Sequence, residues 1–184
     1  MSFDFKNASP EELKKEYERI AKETGDDQFF TKKELNHLPE ILLQGEQVLA
    51  FSSGFMNGNT WLVALTDRRI IFLDKGLIFG LTQETVDLDK INTVSGETGL
   101  ILGKIAIQDG AIQRIIDNVP KRSVLPFTNR VRDAIEARKN KQHAPAVPQD
   151  DVVSKLERLA ALPEKGILSP EEFKEQKVKI LSGA

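Results

Sequence analysis

The chain has no cysteine and only two histidines, which excludes disulfide staples and thiolate metal sites. His37 and His143 stand far apart, so neither a metal nor a cofactor is expected. Long apolar runs are also missing. The longest, WLVAL at 61–65 and IIFL at 70–73, are strand-sized against the roughly 20 residues of a membrane helix. The opening MSFDFKNASPEEL has neither the basic start nor the apolar stretch of a signal peptide, so a cytoplasmic location is expected. A formal net charge of -2 offers no general affinity for phosphate backbones, and nucleic acid is disfavoured as a partner. GxSxG and phosphate-loop motifs are absent, and GLILG at 99–103 reads as a strand bend or bulge. No catalytic residue is assigned and no enzyme is expected.

What is present is punctuation. Ser9, Pro10, Glu11 and Glu12 form a capping box with proline at the first helical position, which predicts a helix over about 10–24, ended by Gly25 and Asp26. Its narrow apolar stripe, Leu13, Tyr17, Ile20 and Ala21, implies packing on a surface. Thr31 and Glu34 repeat the box spacing ahead of a second helical stretch that Pro39 is expected to break or bend, and Gly45 closes this region.

From Glu46 to about Val119 the period changes. QVLAFSSGF, TWLVALT, RRIIFLD, IFGLTQETVDL, INTVSGE, LGKIAIQD and AIQRIIDNV are strand-like runs separated by turn dipeptides such as Asn-Gly and Asp-Gly. They imply an antiparallel meander forming a small barrel or two packed sheets. IIFL is apolar on both faces, as expected of a strand in a strongly bent sheet. Residues 120–139 return to helical spacing through Val124, Phe127, Val131, Ala134 and Ile135, with Pro126 placed at the first turn of the main segment. If the N-terminal helix packs within its own chain, Tyr17 and Leu13 should cover the sheet near Trp61.

The LPEILLQGEQVLA entrance, the LVALTDRRIIFLDKG hairpin, the VDLDKINTVSGETGLILGKIAI stretch and the final helix together resemble the bacterial pleckstrin-homology-like domains of the YokE-like type. VVSKLERLAALPEKGILSPEEFKEQKVKIL resembles the short C-terminal domain called SHOCT, with Pro163 departing from it by ending the first helix early. These resemblances imply an α+β chain: a seven-stranded antiparallel barrel or sandwich closed by a helix, with an N-terminal helical segment and a separate two-helix hairpin. The expected boundaries are 1–37, 38–139, a linker at 140–150, and 151–184.

The tail carries Val152, Val153, Leu156, Leu159, Leu162, Ile167, Leu168, Phe173, Val178, Ile180 and Leu181, more apolar surface than two short helices can hide alone. It should therefore dock on another copy, on its own barrel, or on a different protein. Self-association is favoured, with Val153, Leu156, Leu159, Leu162, Ile167, Leu168, Phe173, Ile180 and Leu181 as the docking residues. Many pleckstrin-homology domains grip inositol phosphates with cations around the first hairpin, but SGFMNGNTW has none. Arg68 and Arg69 could instead hold an anion, against the plainer reading of turn arginines paired with Asp67 or Asp74. Lys121, Arg122, Arg130, Arg138 and Lys139 could likewise meet anionic lipid. The functional expectation is a non-enzymatic interaction scaffold that binds a protein or peptide, with the tail driving oligomerisation or targeting. A peripheral membrane adaptor is the alternative, and a nucleic-acid regulator a weaker one.

Overall fold

The structure, a computed structural model, describes residues 3–26, 31–75, 80–143 and 173–178. Helix α1 spans Pro10–Thr24. The Ser9 hydroxyl accepts from the Glu12 amide at 3.3 Å, and the Glu12 carboxylate accepts from the Ser9 amide at 2.8 Å, so the helix starts where its capping box sits. Gly25, at φ +73°, ends it and donates to the Ala21 carbonyl at 2.8 Å. Helix α2 spans Lys32–Ile41 and departs from expectation twice. Pro39 does not break it, because only Glu40 and Ile41 follow the proline within the helix and the Leu42 amide still reaches the Leu38 carbonyl at 3.1 Å. The second capping box does not form. The Glu34 carboxylate instead accepts from the Lys75 amide at 2.9 Å, which ties α2 to the end of a strand.

Seven antiparallel strands follow: β1 Val48–Met56, β2 Asn59–Thr66, β3 Arg69–Lys75, β4 Leu81–Asp87, β5 Ile91–Thr98, β6 Leu102–Asp109 and β7 Ile112–Pro120. Their order is β4-β3-β2-β1-β7-β6-β5, so β1 and β7 join two meanders and β4 and β5 are edge strands. The β1–β2 turn has Asn57 at φ +53° and Gly58 at +88°, the pair of positive angles that a two-residue type I′ hairpin needs. β1 crosses β7 at Phe55 opposite Asp117. Gly54 permits the approach, since an added Cβ would sit 2.3 Å from Ile116 Cγ2 and 2.7 Å from the Asp117 carbonyl. The α+β, seven-stranded architecture expected from the sequence is present.

Strands β1, β2 and β3 bury both of their faces, whereas β4 is mostly exposed. Trp61, Val63, Leu65, Ile70 and Phe72 point into one core with β5, β6, β7 and the final helix. Phe51, Leu62, Ala64, Ile71 and Leu73 point into another, covered by Phe5, Tyr17, Ile20, Leu35, Leu38 and Leu42. This corrects the reason for the doubly apolar IIFL run: helices α1 and α2 cover its second face, so sheet curvature is not the cause. It also corrects the placement of Tyr17. Tyr17 packs edge-on against Phe51, ring centroids 5.4 Å apart, while Trp61 lies in the opposite core and donates its indole N–H to the Met56 carbonyl at 2.8 Å.

Helix α3 spans Lys121–His143, with Val124, Phe127, Val131 and Ala134 buried. It begins five residues before Pro126, which is therefore inside the helix rather than in its first turn. The proline forfeits only the amide that would reach the Arg122 carbonyl, and that carbonyl lies against Gly25, where an added Cβ would come within 3.1 Å. Met1–Gln142 is one compact unit and His143–Ala184 a second.

Candidate docking surface

The Thr66-Asp67-Arg68-Arg69 turn latches the segment entering β1. Arg69 Nε and its terminal nitrogen donate to the two Glu46 oxygens at 2.9 and 3.0 Å, and the same nitrogen reaches the Ile41 carbonyl at 3.1 Å. Glu46 also accepts from the Thr66 hydroxyl at 2.8 Å and from the Leu43 amide at 2.7 Å. Burial alone would raise its carboxyl, but the Arg69, Leu43 and Thr66 bonds outweigh this and hold it below the usual carboxylate value. Asp67 accepts from the Gln47 amide and donates its own amide to the Gln47 carbonyl, both at 2.9 Å. Arg68 donates to the Gln44 carbonyl at 3.1 Å. Both arginines offered as anion contacts are thus engaged with the loop, and Arg69 pairs with Glu46 rather than with Asp67 or Asp74. Asp74 instead accepts from the Asn59 amide group at 2.8 Å.

The cations of α3 are dispersed. Arg122 Nε donates to the Gly25 carbonyl at 2.7 Å and Arg130 pairs with Glu23 at 3.0 Å, tying α3 to the end of α1. Arg132 lies across the helix on the side of β5, donating to the Val94 carbonyl at 3.2 Å and to Asn129 at 3.0 Å. At about 100° of turn per residue, Lys121, Arg132 and Lys139 share the β5 flank, whereas Arg130 falls on the opposite one. Arg138 is half-buried. These charges do not form one flat basic stripe.

They do border a concave surface. Between the free edge of β5 and the C-terminal half of α3 lies a groove of about 410 Å³, lined by Ile91, Asn92, Thr93, Val94, Arg132, Ile135, Glu136 and Lys139. Its apolar residues, Ile91, Val94 and Ile135, sit among two cations and one carboxylate. Among the described residues β5 pairs only with β6, so its outer side presents the backbone donors and acceptors of an edge strand. Arg132 covers one of them, the Val94 carbonyl. Arg132 is not among the cations singled out from the sequence, because its role needs the β5 partner that folding brings alongside. A second depression, near the β1–β2 turn, contains Arg114. That guanidinium pairs with Glu84 at 2.9 Å and with Asp109, and lies over the Phe72 ring at 5.7 Å. Two carboxylates beside one cation give it no appetite for an anion.

Among the described residues no cluster of potential metal ligands occurs, and no helix is long and apolar enough to cross a membrane. Of the tail docking residues, Phe173 opens a helical stretch at 173–178 whose remaining residues are exposed. Val153, Leu156, Leu159, Leu162, Ile167, Leu168, Ile180 and Leu181 lie outside the described residues.

The family model for the bacterial PH domain matches residues 42–133, half of the 184-residue chain. The chain belongs to that family. The match covers the latch, all seven strands of this bacterial PH domain and the first part of α3. Helices α1 and α2 precede it, and the groove residues Ile135, Glu136 and Lys139 follow it. A protein of Archaeoglobus fulgidus, described only as uncharacterized, is 28% identical over an alignment covering 64% of this chain and 78% of that relative. A pleckstrin homology domain structure from Shewanella amazonensis SB2B is 16% identical, with a TM-score of 0.42, covering 57% of this chain and 97% of that one. A DUF1696 family protein with a pleckstrin-homology domain from Shewanella loihica PV-4 is also 16% identical, with a TM-score of 0.40 and coverages of 56% and 94%.

Proposed function

We propose that this bacterial PH domain is a non-enzymatic docking module that takes an extended peptide segment of a protein partner into the groove between β5 and α3. The observation that carries the reading is an edge strand flanked by a helix, with apolar residues Ile91, Val94 and Ile135 between them and cations on the rim. An incoming strand gains main-chain hydrogen bonds along β5, alternate side chains meet the apolar floor, and a carboxylate on it draws Arg132 away from the Val94 carbonyl. Arg132 thereby serves two states, covering the edge when the groove is empty and pairing with the ligand when it is filled. Panning a random peptide library on the full-length protein tests this. Enriched peptides should combine apolar residues with a carboxylate, and Arg132→Ala and Ile135→Ser, at two residues of the groove lining, should each weaken them at unchanged fold. Peptides indifferent to both substitutions would refute the assignment.

The same proposal gives the SHOCT-like tail the role of self-association, which multiplies weak docking through avidity. Its support is the tail's density of large apolar residues in a segment too short to bury them alone.

A further inference from the structure

At the opposite end of β5 from the groove, the β5–β6 hairpin carries three consecutive aliphatic residues in the open: Leu100 is 91% exposed, Ile101 76% and Leu102 45%. Leu125 of α3, also exposed, follows one turn after Lys121. We propose that this hairpin tip inserts into the interfacial layer of an anionic lipid bilayer, a site separate from the peptide groove.

Shape, backbone and charge each favour a bilayer. The apolar residues cap a convex turn, and a fluid apolar medium accommodates a protruding tip without a matching cavity. The three carbonyls of the tip are satisfied internally, which matters because unpaired carbonyls are costly in hydrocarbon. The Gly99 amide donates to the Leu102 carbonyl at 2.8 Å, the Lys121 amide to the Ile101 carbonyl at 3.3 Å, and Lys121 Nζ to the Leu100 carbonyl at 3.5 Å. Gly99 and Gly103 keep the turn tight, since an added Cβ would meet the Leu102 carbonyl oxygen at 2.8 Å and the Glu97 carbonyl oxygen at 2.3 Å, respectively.

The charges at the base complete the case. Lys121 and Arg122 open α3, whose first turn contains no acidic residue. Cations there oppose the helix dipole, so within the fold the Lys121 charge is offset only by its long 3.5 Å contact with the Leu100 carbonyl. Lys104 stands on β6 just behind the tip, 3.6 Å from its partner Glu97. With the tip at headgroup depth, the exposed Lys121 ammonium meets lipid phosphates, a contact that Lys104 reinforces and that Glu97, the partner of Lys104, partly opposes. The tip and groove are about 20 Å apart along β5, so a domain held by its tip keeps the peptide groove facing the aqueous side.

Co-flotation of the full-length protein with vesicles tests the proposal. The protein should float with mixed phosphatidylcholine and phosphatidylserine vesicles. Ile101→Glu should lower the partition coefficient about tenfold or more while leaving the melting temperature unchanged. Lys121→Gln should lower it about fivefold on anionic vesicles and leave residual binding to pure phosphatidylcholine unaltered. Failure of the wild type to float, or flotation of Ile101→Glu at the wild-type level, would overturn the inference. A drop in the solution mass of Ile101→Glu would also overturn it, by assigning the tip to contact between copies. None of these results bears on the groove, whose peptides are read by Arg132 and Ile135.

Discussion

Replacing Glu46 by alanine should be among the most damaging polar substitutions in the domain. The side chain is 0% exposed and receives four hydrogen bonds, two from Arg69 and one each from Thr66 and the Leu43 amide. Its removal strands a guanidinium that is itself only 14% exposed, together with a backbone amide. Breaking a buried pair on one side costs about 3–5 kcal/mol, and in a domain of this size that lowers Tm by roughly 10–20 °C. Glu46→Gln keeps the shape and part of the hydrogen bonding, so it should cost distinctly less. The double variant Glu46→Leu/Arg69→Met removes both charges and should recover most of the loss. The folded carboxyl titrates below its unfolded value of about 4.3, so the contribution of ionisation is complete above that pH and is lost as pH falls through the folded value. The gap between wild type and Glu46→Gln should therefore narrow in acid. Thermal melts followed by circular dichroism from neutral pH downwards read all of this. A Glu46→Ala loss below about 1 kcal/mol, or a Glu46→Gln loss exceeding it, would refute the latch.

Tyr17 has a buried hydroxyl with no hydrogen-bond partner among the described residues, and burial pushes its titration upward. Tyr17→Phe should be neutral or stabilising by up to about 1 kcal/mol in a denaturant melt. Gly54→Ala forces a methyl group against Ile116 and the Asp117 carbonyl where β1 crosses β7, so it should cost about 1–3 kcal/mol and show an early thermal transition. Light scattering on the full chain and on one ending at Gln142 addresses the tail: the full chain should be oligomeric and the shortened one smaller, and equal protomer number in both would remove self-association.

Helix and strand positions were legible in the sequence wherever local chemistry sets them. Ser9, Pro10 and Glu12 start α1 through contacts within four residues, and Asn57-Gly58 specifies its turn because few other pairs tolerate two positive φ angles. Expectations departed where a distant element competes for the same side chain. Glu34 has the spacing of a capping box, yet the Lys75 amide, 41 residues away, takes its carboxylate. Asp67 and Asp74 are the carboxylates nearest Arg69 in sequence, while its partner Glu46 lies 23 residues upstream and is selected by burial. The doubly apolar Ile70–Leu73 run announced two buried faces without saying that helices cover the second. The groove is least legible of all, because Ile91, Val94, Arg132 and Ile135 belong to separate elements and form a surface only through tertiary packing.

Chemical-shift mapping on the isotope-labelled full-length protein, titrated with a library-selected peptide, tests docking between β5 and α3 most directly. The account predicts the largest amide shifts at 91–94 and 132–139, together with a new environment for the Arg132 side chain. Largest shifts at the β1–β2 turn, with 91–94 unmoved, would contradict it.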